Sequence, residues 1–168
     1  GTKDATTFLR GDGSWASAGG TMTPAFEAYD ANSQSMSDAT FTKLQIDTEV
    51  FDTDSAYDNS TNYRFTPQTA GKYFCYAKAQ LEPTGFEDLR SCSLKLYKNG
   101  SEVTHTVSRF IQGGSTSNGG TLATPYISSI IDLNGSTDYV EVFGKADALD
   151  NSNVVAEFSI FGAYKIIE

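Results

Sequence analysis

The chain offers few side chains with catalytic potential: one histidine, two cysteines and 21 carboxylates. His105 falls in a run, Glu102 to Ile111, whose alternation puts Val103, Val107 and Ile111 on its own face. That company points to a core or interface residue rather than a general base. No serine or cysteine can be paired with it from the sequence, and no HExxH, phosphate-loop or dinucleotide pattern occurs. Cys75 and Cys92 have neither the spacing nor the neighbours of a metal site. If 73–81 and 90–98 pair as a hairpin, Tyr73, Cys75, Ala77, Ala79 and Leu81 face the same core as Cys92, Leu94 and Leu96. Both cysteines are then buried free thiols, a cross-strand disulfide being the alternative.

Carboxylates at Glu87–Asp88 and at Asp147 with Asp150 could serve glycoside hydrolysis, which needs a pair. Acidic pairs in loops are more often solvated or bind a cation. Asp147, Asp150 and Asn151 supply hard oxygen ligands suited to calcium, without the twelve-residue pattern of a dedicated calcium loop. The expectation is therefore a protein that is not an enzyme and carries no cofactor, with calcium at 147–151 left open and any other metal unknown.

Twenty-one acidic against twelve basic residues give a net charge of -9, which repels a phosphate backbone, and no run of Lys or Arg offsets it locally. Nucleic acid is excluded as the expected partner. No apolar run of about 18 residues spans a membrane, and no charged-then-apolar N-terminus marks a signal peptide. The first residue, Gly1, is the expectation for a fragment of a longer chain.

At 168 residues, 39% hydrophobic and 12% aromatic, the chain is able to bury a substantial core. Residues 1–22 are rich in Gly, Ser, Thr and Ala and read as a connector, and 23–168 as one domain. Within that domain short alternating runs recur between Gly, Asn, Asp and Ser clusters, at the spacing of a β-sandwich. Strands are expected near 25–30, 41–51, 63–66, 71–81, 91–98, 102–111, 125–133, 139–146 and 154–167. Antiparallel alternation puts the short connections 67–70, 99–101 and 134–138 at one end. The long ones, 82–90, 112–124 and 147–153, share the other, where recognition usually sits.

Two strands are apolar on both faces. Phe74 and Tyr76 lie opposite the Cys75 face, and the last strand splits into Phe158, Ile160, Tyr164 and Ile166 against Phe161, Ala163 and Ile167. A strand in a two-layer sandwich needs only one buried face. Phe74, Tyr76, Phe161, Ala163 and Ile167 are therefore assigned to a contact between copies of the chain. The alternative is that loops of the same chain cover them.

Phe65, Gly71, Tyr73, the LYKNG run from Leu96 to Gly100 and the aromatic-apolar strand around Gly162 resemble the C1q-like globular head family, whose jelly roll is shared with tumour necrosis factor. The similarity covers roughly 25–168. Phe51 and Asp58 stand near the family's upstream positions, whereas Cys75 and Ala77 replace an expected Phe and another aromatic. The resemblance implies an all-β, antiparallel jelly-roll sandwich of about ten strands, a homotrimer with both termini at its base, and ligand binding on the outer loops.

Ala5 to Ala16, ATTFLRGDGSWA, resembles the short connector that precedes the tip domain in phage tail fibres and bacterial trimeric fibre adhesins. Gly11-Asp12-Gly13 suits a tight turn with positive φ, and Phe8, Leu9 and Trp15 suit packing against their copies. The Arg10-Gly11-Asp12 tripeptide is read as part of this turn rather than as an integrin motif. Together the two resemblances imply an extracellular receptor-binding tip of a homotrimeric fibre, on a virion or a bacterial surface, recognising a surface glycan or protein. Phe86 and Tyr126 are candidates to stack on a sugar face, and Glu87, Asp88, Asn118, Asp147, Asp150 and Asn151 to hydrogen-bond its hydroxyls. A head that only registers and caps the trimer, and a polysaccharide hydrolase, are the alternatives.

Overall fold

The computed structural model describes residues 7–17, 22–84, 89–111, 122–149 and 153–167, where every regular element is a strand. β1 (Thr7–Leu9) and β2 (Trp15–Ser17) form a separate two-stranded hairpin. Six short strands follow: β3 (Ala25–Tyr29), β4 (Gln34–Met36), β5 (Thr42–Lys43), β6 (Thr48–Asp52), β7 (Tyr57–Asp58) and β8 (Arg64–Phe65). Six long ones complete the chain: β9 (Ala70–Pro83), β10 (Leu89–Lys98), β11 (Ser101–Ile111), β12 (Tyr126–Asn134), β13 (Val140–Ala148) and β14 (Val154–Ile167). One sheet runs β12-β9-β14-β3-β6 with β4 added on β14, and the other β11-β10-β13-β8-β7 with β5 added on β13. Its pairings are all antiparallel, and the chain changes sheet between β9 and β10, β11 and β12, β12 and β13, and β13 and β14. This is an antiparallel jelly roll.

The alternation in β9 is strict: Tyr73, Cys75, Ala77, Ala79 and Leu81 are buried and the intervening residues face outward. In β10, Cys92, Leu94 and Leu96 are buried in the same core. The expected β9–β10 hairpin does not form. β9 pairs with β12 and β14, and β10 with β11 and β13, so the two strands face one another across the core. The chain passes from one sheet to the other between Pro83 and Leu89. The expected strand at 41–51 is divided into β5 and β6, between which Leu44 and Ile46 drop into the core. β4 and β7, three and two residues long, are too short to show a period.

Five aromatic rings bind the two sheets together. Phe26 stacks on Tyr57 at 4.4 Å and on Phe65 at 4.7 Å, and meets Phe161 edge-on at 4.9 Å. Tyr73 meets Phe65 edge-on at 5.4 Å. Such pairs add about 0.5–1.5 kcal/mol each beyond the area they bury. The polar tips are satisfied: Tyr57 Oη donates to the Ile46 carbonyl and Tyr73 Oη to the Thr69 carbonyl, both at 2.7 Å.

The short connections form one end of the sandwich. Asn99 and Gly100 both have positive φ, joining β10 to β11 in a tight turn. Asn99 Nδ2 donates to Asp138 Oδ1 at 2.7 Å, and the Tyr139 amide donates to Asn99 Oδ1 at 2.9 Å. At the other end Leu81 bridges to Ala123, and the Thr84 amide donates to the Asn153 carbonyl, so the three long connections leave the fold together.

Cys75 and Cys92 are both buried and unbonded. Burial pushes the Cys75 thiol far above its usual range and the Cys92 thiol up to about 11. Neither sulfur should therefore react with Ellman's reagent at pH 8 in the folded protein, and both should react at once in denaturant. Rapid native labelling of either would contradict this packing.

Candidate functional site

The two sheets present outer faces of opposite character. On the sheet centred on β10 and β13, several outward side chains pair with one another: Lys95 with Glu102 at 2.5 Å, Lys43 with Glu141 at 3.2 Å, and Tyr97 stacks on Phe143 at 4.1 Å. On the sheet centred on β9 and β14, the middle of the outer face is apolar, with Lys72, Lys78, Asp132 and Glu27 around it. Ile130 lies across from Phe74, and Phe74 from Tyr164, whose rings are 5.5 Å apart. Tyr126, Lys78, Ile160 and Tyr29 form the next row. Ile130 is 54% exposed and Tyr126 55%.

Tyr76 sits at the centre of this second face. Its ring covers Gly162 so closely that a Cβ there would come within 2.3 Å of it. Its hydroxyl donates to Glu27 Oε2 at 2.6 Å, on the neighbouring β3. Burial, and then this hydrogen bond, hold its pKa above the usual tyrosine value.

A bulge in β14 decides which residues share the face. Glu157 lies opposite Gln80 and Ile160 opposite Lys78, so Phe158 and Ser159 together face the single residue Ala79. Phe158 adopts φ 47°, a left-handed conformation unfavourable for a side chain of its size, and is 67% exposed. Asp30 holds the bulge from β3's end: its Oδ1 accepts from the Ser159 amide at 2.8 Å, and its own amide donates to the Ser159 carbonyl at 3.1 Å. Burial raises the Asp30 pKa, against the lowering effect of its hydrogen bonds to Ser159.

The bulge corrects part of the expected contact face. Phe74 and Tyr76 do point outward, but Phe161 and Ala163 are buried in the chain's own core, because the extra residue reverses the side on which they fall. The outward residues of that stretch are Ile160, Gly162 and Tyr164. Ile167 is exposed at the strand's end, past a second irregularity.

Of the residues assigned to ligand binding, Phe86, Glu87, Asp88, Asn118, Asp150 and Asn151 lie outside the described residues. Tyr126 and Asp147 are described, but the fold does not bring them together. Tyr126 begins β12 on the outer face of one sheet, whereas Asp147 lies on the outer face of the other, opposite Ser91, with the core between them. Asp147 Oδ1 accepts from Arg90 Nη1 at 2.8 Å, so a guanidinium already occupies one side of the carboxylate considered for calcium. Among the described residues no three His, Cys, Asp or Glu side chains converge in a metal-binding group. His105 is exposed, contrary to a core role, and its Nε2 lies 3.2 Å from Ser129 Oγ. In the N-terminal hairpin Gly13 has φ 81°, and Asp12 Oδ1 accepts from the Ser14 amide and hydroxyl, which lowers its pKa.

Solved structures share this architecture. Murine APRIL at pH 5.0 superposes with a TM-score of 0.59 at 11% identity, over 84% of this chain and 98% of that one. The globular domain of zebrafish complement 1qA protein gives 0.57 at 14% identity, over 86% and 98%. Eiger TNF from S. frugiperda gives 0.58 at 11%, over 86% and 92%. The fold is a jelly roll of the C1q/TNF-like kind. No family model and no curated protein matches the sequence.

The residues that carried the resemblance hold structural positions in this jelly-roll head. Phe65 and Tyr73 belong to the aromatic core, Leu96 is buried, Asn99-Gly100 makes the turn, and Gly162 makes room for Tyr76.

Gly162→Ala should destabilise the head by about 1–3 kcal/mol through overpacking. In a double-mutant cycle with Tyr76→Ala most of that cost should disappear, and chemical denaturation would measure the coupling. A second outcome concerns Asp30. Because its pKa is raised in the folded state, folding takes up protons between the ordinary carboxylate value and the raised one, and stability falls as pH rises through that window. Asp30→Asn keeps an acceptor for Ser159, so it should raise Tm at pH 7 and flatten the acid-side slope. Asp30→Ala should lower Tm; thermal scans from pH 4 to 7 check both.

Proposed function

We propose that this chain is the receptor-binding head of an extracellular homotrimeric fibre, on a virion or a bacterial surface, attaching it to a surface glycan or protein. The observation that supports the reading is the contrast between the two outer faces. The face with Phe74, Tyr76, Ile130, Ile160 and Tyr164 is too apolar to be left in water, and copies of the same face around one axis would bury it. In that arrangement the hydrogen bond to Glu27 satisfies the Tyr76 hydroxyl at the centre of the contact. The likeness to C1q and TNF heads supports the same assembly by analogy of fold.

The N-terminal segment 1–22 then serves as the connector to the rest of the fibre, and 23–168 as the head. Phe8 and Leu9, exposed on the hairpin, are available to pack against their copies. Recognition falls to the long connections at one end, with Phe86, Glu87, Asp88, Asn118, Tyr126, Asp147, Asp150 and Asn151 as the side chains to replace. Three copies multiply weak single-site contacts into useful avidity.

Light scattering at micromolar concentration should give three times the 18.1 kDa chain mass. Ile130→Asp and Tyr164→Asp should each shift the protein to monomer and abolish adhesion. A wild-type monomer would sink the assembly. If loop alanine variants leave adhesion unchanged on an intact trimer, the head registers and caps the fibre without recognising the receptor.

A further inference from the structure

A hollow of about 230 Å³ opens on the outer face of the sheet opposite the proposed trimer contact, lined by Phe41, Ser91, Ser93, Lys95, Arg109 and Lys145 together with Val107. Strand register builds it. Ser93 on β10 lies directly between Arg109 on β11 and Lys145 on β13, and Ser91 and Lys95 lie two residues to either side of it on the same outward face. Arg109 and Lys145 thus stand two strand spacings apart, about 10 Å at the backbone, with a serine hydroxyl between them.

Among the described residues, the charges of this hollow are not used up. Lys95 is paired with Glu102, but neither Arg109 nor Lys145 has an ion-pair partner among the described residues. The 112–121 segment that follows β11 contains no acidic residue. In a chain with 21 acidic and only 12 basic residues, two neighbouring cations without a carboxylate partner among the described residues are unexpected on composition alone. Two serines complete its polar lining. Ser91 and Ser93 are 9% and 7% exposed, and their hydroxyls open onto the hollow rather than into the core.

Phe41 walls the hollow, with Lys95 Nζ 4.6 Å and Lys145 Nζ 5.7 Å from its ring centroid, so Lys95 is shared between this ring and Glu102, while Lys145 has the ring alone beside it among the described residues. A space of 230 Å³ is smaller than the 300–1,000 Å³ or so of sites that enclose a drug-sized molecule. It suits one anionic group and its immediate attachment.

We propose that this hollow is a subsite for the carboxylate or sulfate of an acidic saccharide. The guanidinium of Arg109 and the ammonium of Lys145 clasp the anion, and the Ser91 and Ser93 hydroxyls donate to its oxygens. The residues sit where β10 leaves, and β11 and β13 enter, the long connections, so a glycan held by those loops can place its acidic group here. The proposal deepens the receptor-binding reading and rests on it.

The test uses the assembled wild-type protein on biosensor surfaces carrying a sialylated glycan, a sulfated glycan and the neutral counterpart of each. Binding to one or both acidic glycans should exceed binding to its neutral counterpart by at least about tenfold and weaken as salt is raised. Which acidic surface binds better identifies the anion. Arg109→Gln and Lys145→Gln should each remove most of the preference, and Ser93→Ala part of it. Lys72→Gln, the same charge change on the other sheet, should leave it intact. Equal binding to acidic and neutral glycans, or an equal loss with Lys72→Gln, overturns the subsite while leaving the receptor-binding reading in place. Conversely, suppose that inorganic sulfate raises Tm more in wild type than in Arg109→Gln, yet the protein binds neither glycans nor host cells. The anion subsite then stands and the receptor-binding reading falls.

Discussion

The structure depends on one extra residue in β14. This strand lies between β9 and β3 in the middle of its sheet, and its first half buries Val154 and Ala156. Without the bulge at Phe158 and Ser159, the same alternation would turn Phe161 and Ala163 out of the core and push Gly162 and Tyr164 into it. The aromatic cluster would lose the ring that meets Phe26, and Tyr76 would lose the bare backbone it lies on. The left-handed φ at Phe158 is a local cost, of about 1–2 kcal/mol, that the two hydrogen bonds between Asp30 and Ser159 hold in place. The parity of one central strand thus sets both the inside of the sandwich and the character of one outside.

From that parity follows a division of labour between the faces. One sheet gathers Phe74, Tyr76, Ile130, Ile160 and Tyr164 in the middle of its outer face, with charged residues such as Lys72, Lys78 and Asp132 around them, which suits contact with copies of itself. The other directs serine, lysine and arginine outward and settles most of its charges internally, which suits a surface left in water. The residue types differ, but the backbone is the same antiparallel ladder on both sides.

Much of this was legible in the sequence, and the exceptions have physical causes. The long strands show because period-two alternation persists over nine or more residues, as in β9 and β13. Phe65, Gly71, Tyr73 and Asn99-Gly100 were informative because a packed ring or a positive φ restricts the residue locally. Partner choice was not legible: β9 and β10 alternate as a hairpin would, and only the three-dimensional path shows that they face each other across the core. The reversal in β14 was hidden as well, since Phe158 carries no mark of a bulge such as glycine would. The basic hollow was the least visible, because Lys95, Arg109 and Lys145 are separated along the chain and meet only through strand register. A serine between two cations across strands leaves no trace in one dimension.

Cys75 and Cys92 face the same interior from different sheets, both reduced, both shielded from solvent. No covalent crosslink contributes to the fold, so its stability comes from noncovalent interactions alone and is indifferent to the redox potential around it. A chain of this kind can be synthesised and assembled in a reducing cell interior, then work in an oxidising exterior, with no oxidant, isomerase or reshuffling step between the two.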